Sequence, residues 1–224
     1  LLVSPSLPTG VASTFVSRND GERTFATYLG AAASLKAEDL SLEVFKGYSY
    51  LFVEGYLVQD HDMILHAVEL AKEAGLQVCL DMASYNIVEE DRDFFTLLLT
   101  KYVDIVFANE EEARAFTGKE PDEALAELSR LCSIAVVKLG ARGSLVRKGT
   151  QTLSVEPVAV RKVADTTGAG DYFAAGFLYG LVSGCSLEKC ARIASILSAA
   201  VIRVVGAELS AARWKQVREE VGEL

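Results

Sequence analysis

Short apolar runs alternate along most of the chain with stretches of helical spacing. Tyr50 to Val53, Leu76 to Leu80, Asp104 to Ala108 and Ser133 to Leu139 are rich in Val, Ile and Leu, and they predict buried strands. Between the first two, Ile64, Leu65, Val68, Leu70 and Ala71 fall near helical spacing. They predict a helix over 62–74 that stops at Gly75. The same pattern predicts helices over 89–102, 109–116 and 122–131. Gly143 to Val155 reads as an antiparallel pair turning near Lys148-Gly149-Thr150, and the remainder as helices over 169–184, 187–204 and 210–221.

The first thirty residues differ. Gly10 to Ser17 is rich in β-branched residues, Asn19-Asp20-Gly21 is a turn signal, and Glu22 to Leu29 continues as a second strand. This predicts a hairpin, too thin in apolar content to stand alone. Strands alternating with helices predict a doubly wound α/β fold: a mostly parallel sheet with helices on both faces. Residues 1–35 would form the hairpin and its connection, and residues 36–224 the α/β domain.

Composition narrows the function classes. The 224 residues carry 22 Lys plus Arg against 31 Asp plus Glu, a net charge of −9. That balance argues against a nucleic acid or an anionic membrane as partner. No apolar run is long enough to span a membrane, since the greasiest stretch, Ile193 to Val205, is broken by Ser195, Ser198 and Arg203. Cys79, Cys132, Cys185 and Cys190 lack metal-ligand spacing, which predicts reduced thiols in a cytoplasmic protein. The chain opens without Met, as a fragment would.

In parallel α/β sheets ligands bind at the carboxyl ends of the strands, so three segments after strands deserve close reading. In Asp165-Thr166-Thr167-Gly168-Ala169-Gly170-Asp171, small residues precede an apolar helix. The amides of a tight turn at a helix N-terminus favour an anion. Asp171, in the first helical turn, is placed to take a proton from a hydroxyl attacking phosphorus. A plain helix cap by Asp165 or Thr167 explains these seven residues about as well. In Asn109-Glu110-Glu111-Glu112, residues 109 and 112 share a helix face and suit a Mg²⁺ held through its waters. Taken alone, a capping box is the stronger reading there. In Lys138-Leu139-Gly140-Ala141-Arg142-Gly143, the glycines allow close approach to a ligand, although a tight β connection explains them as well.

Asp165 to Asp171, followed by Tyr172-Phe173-Ala174-Ala175-Gly176-Phe177, resembles the C-terminal signature of the ribokinase, or PfkB, family of carbohydrate and nucleoside kinases. Asn109-x-x-Glu112 is similar to that family's magnesium motif, and Lys138 to Gly143 to its nucleotide loop. The three occur in the family's order, and Gly206-Ala207-Glu208 fits as well. The resemblance implies a ribokinase-like, nucleotide-binding α/β domain and a β-sheet lid made by the hairpin. It implies Asp171 as general base, with the N–H groups of Gly168, Ala169 and Gly170 as anion hole. Asn109 and Glu112 would position Mg²⁺ and the phosphates of ATP, and Lys138, Gly140, Gly143 and Ser195 would border ATP. Asp165 and Thr167 would shape a site for a monovalent cation such as K⁺. Partners would be a sugar or nucleoside substrate and a second copy of the chain paired through its lid.

The family's N-terminal substrate segment, with an early Asp and a Gly-Gly…Asn stretch, has no counterpart, so the chain is expected to start inside the fold. Gly21-Glu22-Arg23-Thr24 and Thr27 to Ala31 are similar to adenosine-kinase-like bacterial members, which favours a ribose-type sugar or adenosine. A non-catalytic nucleotide-binding protein and a kinase for a small vitamin alcohol are the alternatives.

Overall fold

The computed structural model describes residues 3–16 and 23–224. The predicted turn at 19–21 lies outside the described residues. Strands β1 (Thr9–Val16) and β2 (Arg23–Gly30) pair antiparallel as a separate two-stranded sheet. The short helix α1 (Leu42–Phe45) follows. The main sheet is built from β3 (Tyr50–Glu54), β4 (Gln77–Asp81), β5 (Ile105–Asn109), β6 (Ile134–Lys138), β7 (Ser144–Lys148) and β8 (Gln151–Val155), in that spatial order. β3 to β6 are parallel, and β7 and β8 add antiparallel. The fold is the expected mostly parallel sheet with helices on both faces.

The crossovers are α2 (His61–Glu73) between β3 and β4, α3 (Tyr85–Glu90) and α4 (Arg92–Lys101) between β4 and β5, and α5 (Glu110–Thr117) and α6 (Pro121–Leu131) between β5 and β6. Three helices close the chain: α7 (Ala169–Val182), α8 (Leu187–Val201) and α9 (Ala211–Gly222). The single helix expected over 89–102 is two. Asp91 leaves helical geometry (φ −111°, ψ 27°), and its carboxylate bonds the His61 ring at 2.9 Å. That ring in turn stacks on Phe94.

Strand alternation divides the core. Val53, Val78, Leu80, Val106, Ala108, Ala135 and Val137 pack under the crossover helices with Val68, Phe95, Leu98 and Leu128. Cys79, Ile105, Phe107, Ile134 and Val136 face the other way, against Phe173 and Phe177 of α7 and Ala191 and Ala194 of α8. α7 and α8 touch closely. A Cβ on Gly176 would lie 2.9 Å from Ala194 Cα, and one on Gly180 would lie 2.9 Å from Cys190 Cα. Neither contact tolerates a methyl group, so the two glycines set how near the helices approach.

Candidate active site

The last residue of every parallel strand is polar: Glu54, Asp81, Asn109 and Lys138. By the two-residue period of a strand, all four share the face of Phe52, Cys79, Phe107 and Val136, the one that α7 covers. The N-terminus of α7 comes to the same end of the sheet. Gly168 is its N-cap in the left-handed region (φ 76°), and Ala169, Gly170 and Asp171 are its first residues. Among the described residues no side chain caps the helix; Asp165 and Thr167, the candidates for that role, bond each other and the amide of Gly206. The Asp165 carboxylate accepts from the amide and hydroxyl of Thr167 (2.9 and 2.8 Å) and from the amide of Gly206 (3.0 Å). Of the three amides read as an anion hole, that of Ala169 donates to the Thr166 carbonyl at 3.2 Å.

Lys138 stands at the centre of the cluster. Its ammonium donates to Asp81 at 2.7 Å, with both side chains largely buried. It also lies 3.4 Å from where a Cβ of residue 170 would stand, so the bare backbone of Gly170 admits the charge beside the start of α7. The other oxygen of Asp81 accepts from the amide of Ala83, a non-glycine residue held at φ 61°. Glu54 ends β3 and pairs with Asp81 in the strand register. The Glu54 carboxyl is raised from its ordinary value, first by burial and then by the charge of Asp171, with Lys138 pulling the other way.

Asn109 and Glu112 form a complete capping box. The amide and the Nδ2 of Asn109 each donate to one oxygen of Glu112 at 2.7 Å, and the amide of Glu112 donates to Asn109 Oδ1 at 2.8 Å. Glu112 is 3% exposed, and burial pushes its carboxyl up to about 6 despite the opposing charge of Lys138. The bland capping reading is thus met, and the same bonds orient both side chains. Gly140 (φ 57°) and Gly143 (φ 88°) bend the chain from β6 into β7, and a side chain on Gly143 would collide with the Val155 carbonyl. Ser195 is buried in α8, where its hydroxyl donates to the Ala191 carbonyl at 2.9 Å.

Sequence reasoning missed Glu54, Asp81, Tyr56 and Ser144. Tyr56 follows two residues after β3, and its phenol is raised by burial and by the charges of Glu112, Glu54, Asp81 and Asp171. Ser144 pairs with Lys138 across the β6–β7 ladder, and its fully buried hydroxyl has no hydrogen-bond partner among the described residues. The available signal was positional: a polar residue closing each apolar run.

A probable sugar kinase of Rhizobium etli superposes on 97% of the chain with a TM-score of 0.89 and 33% identity, the match covering 67% of that protein. The adenosine kinase of Sinorhizobium meliloti is 36% identical over 95% of the chain and 66% of its own, with a TM-score of 0.87. An Arabidopsis thaliana ribokinase complexed with ribose and ATP is 26% identical, with a TM-score of 0.76 over 96% of the chain and 70% of its own. The chain spans about half the length of curated relatives such as the Arabidopsis thaliana ribokinase, of which it covers 53%. The family model for pfkB carbohydrate kinases matches residues 1–214, and the chain belongs to that family.

Proposed function

We propose that the protein is a Mg²⁺- and ATP-dependent kinase that transfers the γ-phosphoryl group to a hydroxyl of a sugar or nucleoside, with a ribose-type sugar or adenosine favoured. The observation that carries this reading is the position of Asp171. It lies in the first turn of α7, one residue beyond the glycine against which Lys138 rests. The ribose and ATP held by the plant ribokinase, and the adenosine kinase among the similar structures, support the substrate class.

In the reaction the acceptor oxygen bonds to the γ-phosphorus as the bond to the β–γ bridging oxygen breaks, releasing ADP. The hydroxyl proton passes to Asp171. The start of α7 offers backbone N–H groups of Gly168 and Gly170, and the positive end of its dipole, to the transferred group. Lys138 adds a full positive charge on the same side. Gly140 and Gly143 would border the nucleotide, with Ser195 on the neighbouring helix.

Asn109 and Glu112 fit a Mg²⁺ ion. Each Glu112 oxygen accepts one bond from Asn109 and keeps a further lone pair, and a buried carboxylate raised to about 6 gains from a nearby cation. Among the described residues no three His, Cys, Asp or Glu side chains are grouped to hold a metal directly. The pair would therefore hold the ion through its waters. Bound there, Mg²⁺ would screen phosphate charge. Asp165 and Thr167 would shape a site for K⁺.

The hairpin β1–β2 would act as the lid and pair with that of a second copy; Val11, Phe15, Tyr28 and Leu29 are exposed on it. Among the described residues no helix is long and apolar enough to cross a membrane. The protein would work in the cytoplasm; burial pushes the thiols of Cys79 and Cys132 up to about 12, which keeps them unreactive.

The test is a panel of nucleosides and sugars, incubated with ATP and Mg²⁺ and the full-length protein. Phosphorylated product from one class is the expected result. ATP binding without transfer to any member would overturn the proposal in favour of a non-catalytic nucleotide-binding protein.

A further inference from the structure

Two positive centres face each other at the strand ends. The Lys138 ammonium lies 3.4 Å from where a Cβ of Gly170 would stand, in the first turn of α7. That end of a helix carries the positive pole of its dipole, so a cation there is unfavourable unless negative charge lies close by. Asp81 supplies one such charge at 2.7 Å. Among the described residues this is the ammonium's one hydrogen bond, which leaves two of its three N–H groups for a ligand. Both oxygens of Asp81 are engaged, one by the ammonium and the other by the amide of Ala83 at 3.1 Å. The turn that carries Asp81 is fixed from several sides. The amide of Met82 donates to the Phe107 carbonyl at 2.9 Å, and a Cβ on Gly55 would stand 2.4 Å from the Met82 carbonyl oxygen. Ala83 holds a positive φ of 61°, a strained conformation for a residue with a Cβ. Such strain persists where neighbours over-determine it, and it clusters at functional sites. Nor does stability alone call for a buried ion pair, since apolar groups of similar volume often serve as well or better.

We propose that Asp81 is a positioning residue: it fixes the Lys138 ammonium beside the start of α7, where the two remaining N–H groups grip the phosphoryl group in transfer. This rests on the kinase reading above. Asp81 does not touch the phosphate itself, because its own charge repels an anion; it acts through Lys138. Without Asp81 the helix dipole pushes the ammonium away from Gly170, and the flexible four-carbon stem lets it move. The transferred group then loses a charge held ready on one side.

The test measures turnover and urea stability side by side in the full-length protein, on the acceptor that the substrate panel identifies. Asp81→Asn keeps an oxygen for the Ala83 amide and removes the charge. It should lose about 100-fold in kcat, the scale of a misplaced catalytic group, with KM for ATP little changed. Lys138→Met should lose at least as much. Adding Asp81→Asn to Lys138→Met should regain stability, since no lone carboxylate is left buried, and yet leave kcat where Lys138→Met put it. A pair with only a structural role would recover turnover together with stability, and that result would overturn the proposal. So would wild-type kcat in Asp81→Asn, or a further fall in kcat when it is added to Lys138→Met, which would show Asp81 acting without the lysine. Should Asp81→Asn alone fail to fold, the comparison of Lys138→Met with the double variant still decides. A wild-type protein that transfers phosphoryl to no acceptor would instead overturn the kinase reading, and the positioning role with it.

Discussion

Lys138 and Asp81 meet at 2.7 Å across the end of β5, which lies between their two strands. Their side chains are 16% and 11% exposed, so the pair is shielded from water. Removing one partner of such a pair strands the other charge. Lys138→Met should lower unfolding free energy by about 3 kcal/mol in urea titrations. Adding Asp81→Asn should restore much of it, since an amide is far less costly to bury than a lone carboxylate.

Asp171→Asn should leave urea stability close to wild type, because the residue sits at a helix start and supports no core packing. Turnover in the full-length protein should fall by about 10²–10⁴-fold, the contribution of a general base. Near-normal activity would remove the assignment.

Glu112 ties stability to pH. Its folded value of about 6 lies above the ordinary 4.5, so the folded state holds the proton more tightly than the unfolded one. The stability it contributes is fully present below pH 4.5 and is lost as pH rises through about 6. The difference of 1.5, from 6 minus 4.5, amounts to about 2 kcal/mol. Glu112→Gln should remove that slope while keeping helix α5, and in the full-length protein it should raise the Mg²⁺ concentration needed for half-maximal activity.

A methyl group at residue 176 has no room. Gly176→Ala should cost about 1–3 kcal/mol, read as a lower Tm. Because α7 carries Asp171 in its first turn, kcat should fall as well.

Ser144 buries a hydroxyl opposite Lys138 with no partner among the described residues. Ser144→Ala should therefore stabilise the fold, by about 1 kcal/mol. Destabilisation of that size would reveal a hydrogen bond made through water.

The sheet was legible because each buried strand is a short run of β-branched and aliphatic residues, and each predicted strand end falls within a residue of the observed one. The break at Asp91 was not legible, because it depends on His61, thirty residues away, reaching it from another helix. The segments at 109–112, 138–143 and 165–171 could be picked out from local residue types. Glu54 and Asp81 could not, since each looks like an ordinary polar stop after an apolar run. Their meaning lies in the register that sets them side by side, which no single segment contains.

The shared face of Glu54, Asp81, Asn109 and Lys138 constrains how the gene can vary. A one-codon insertion or deletion inside β3, β4, β5 or β6 would rotate the terminal side chain to the opposite surface of the sheet. It would then lie under α2, α4, α5 or α6, in a dry interior with no counterion. Length changes among relatives should accordingly collect in the connections between helices and strands, leaving each strand's count of residues intact.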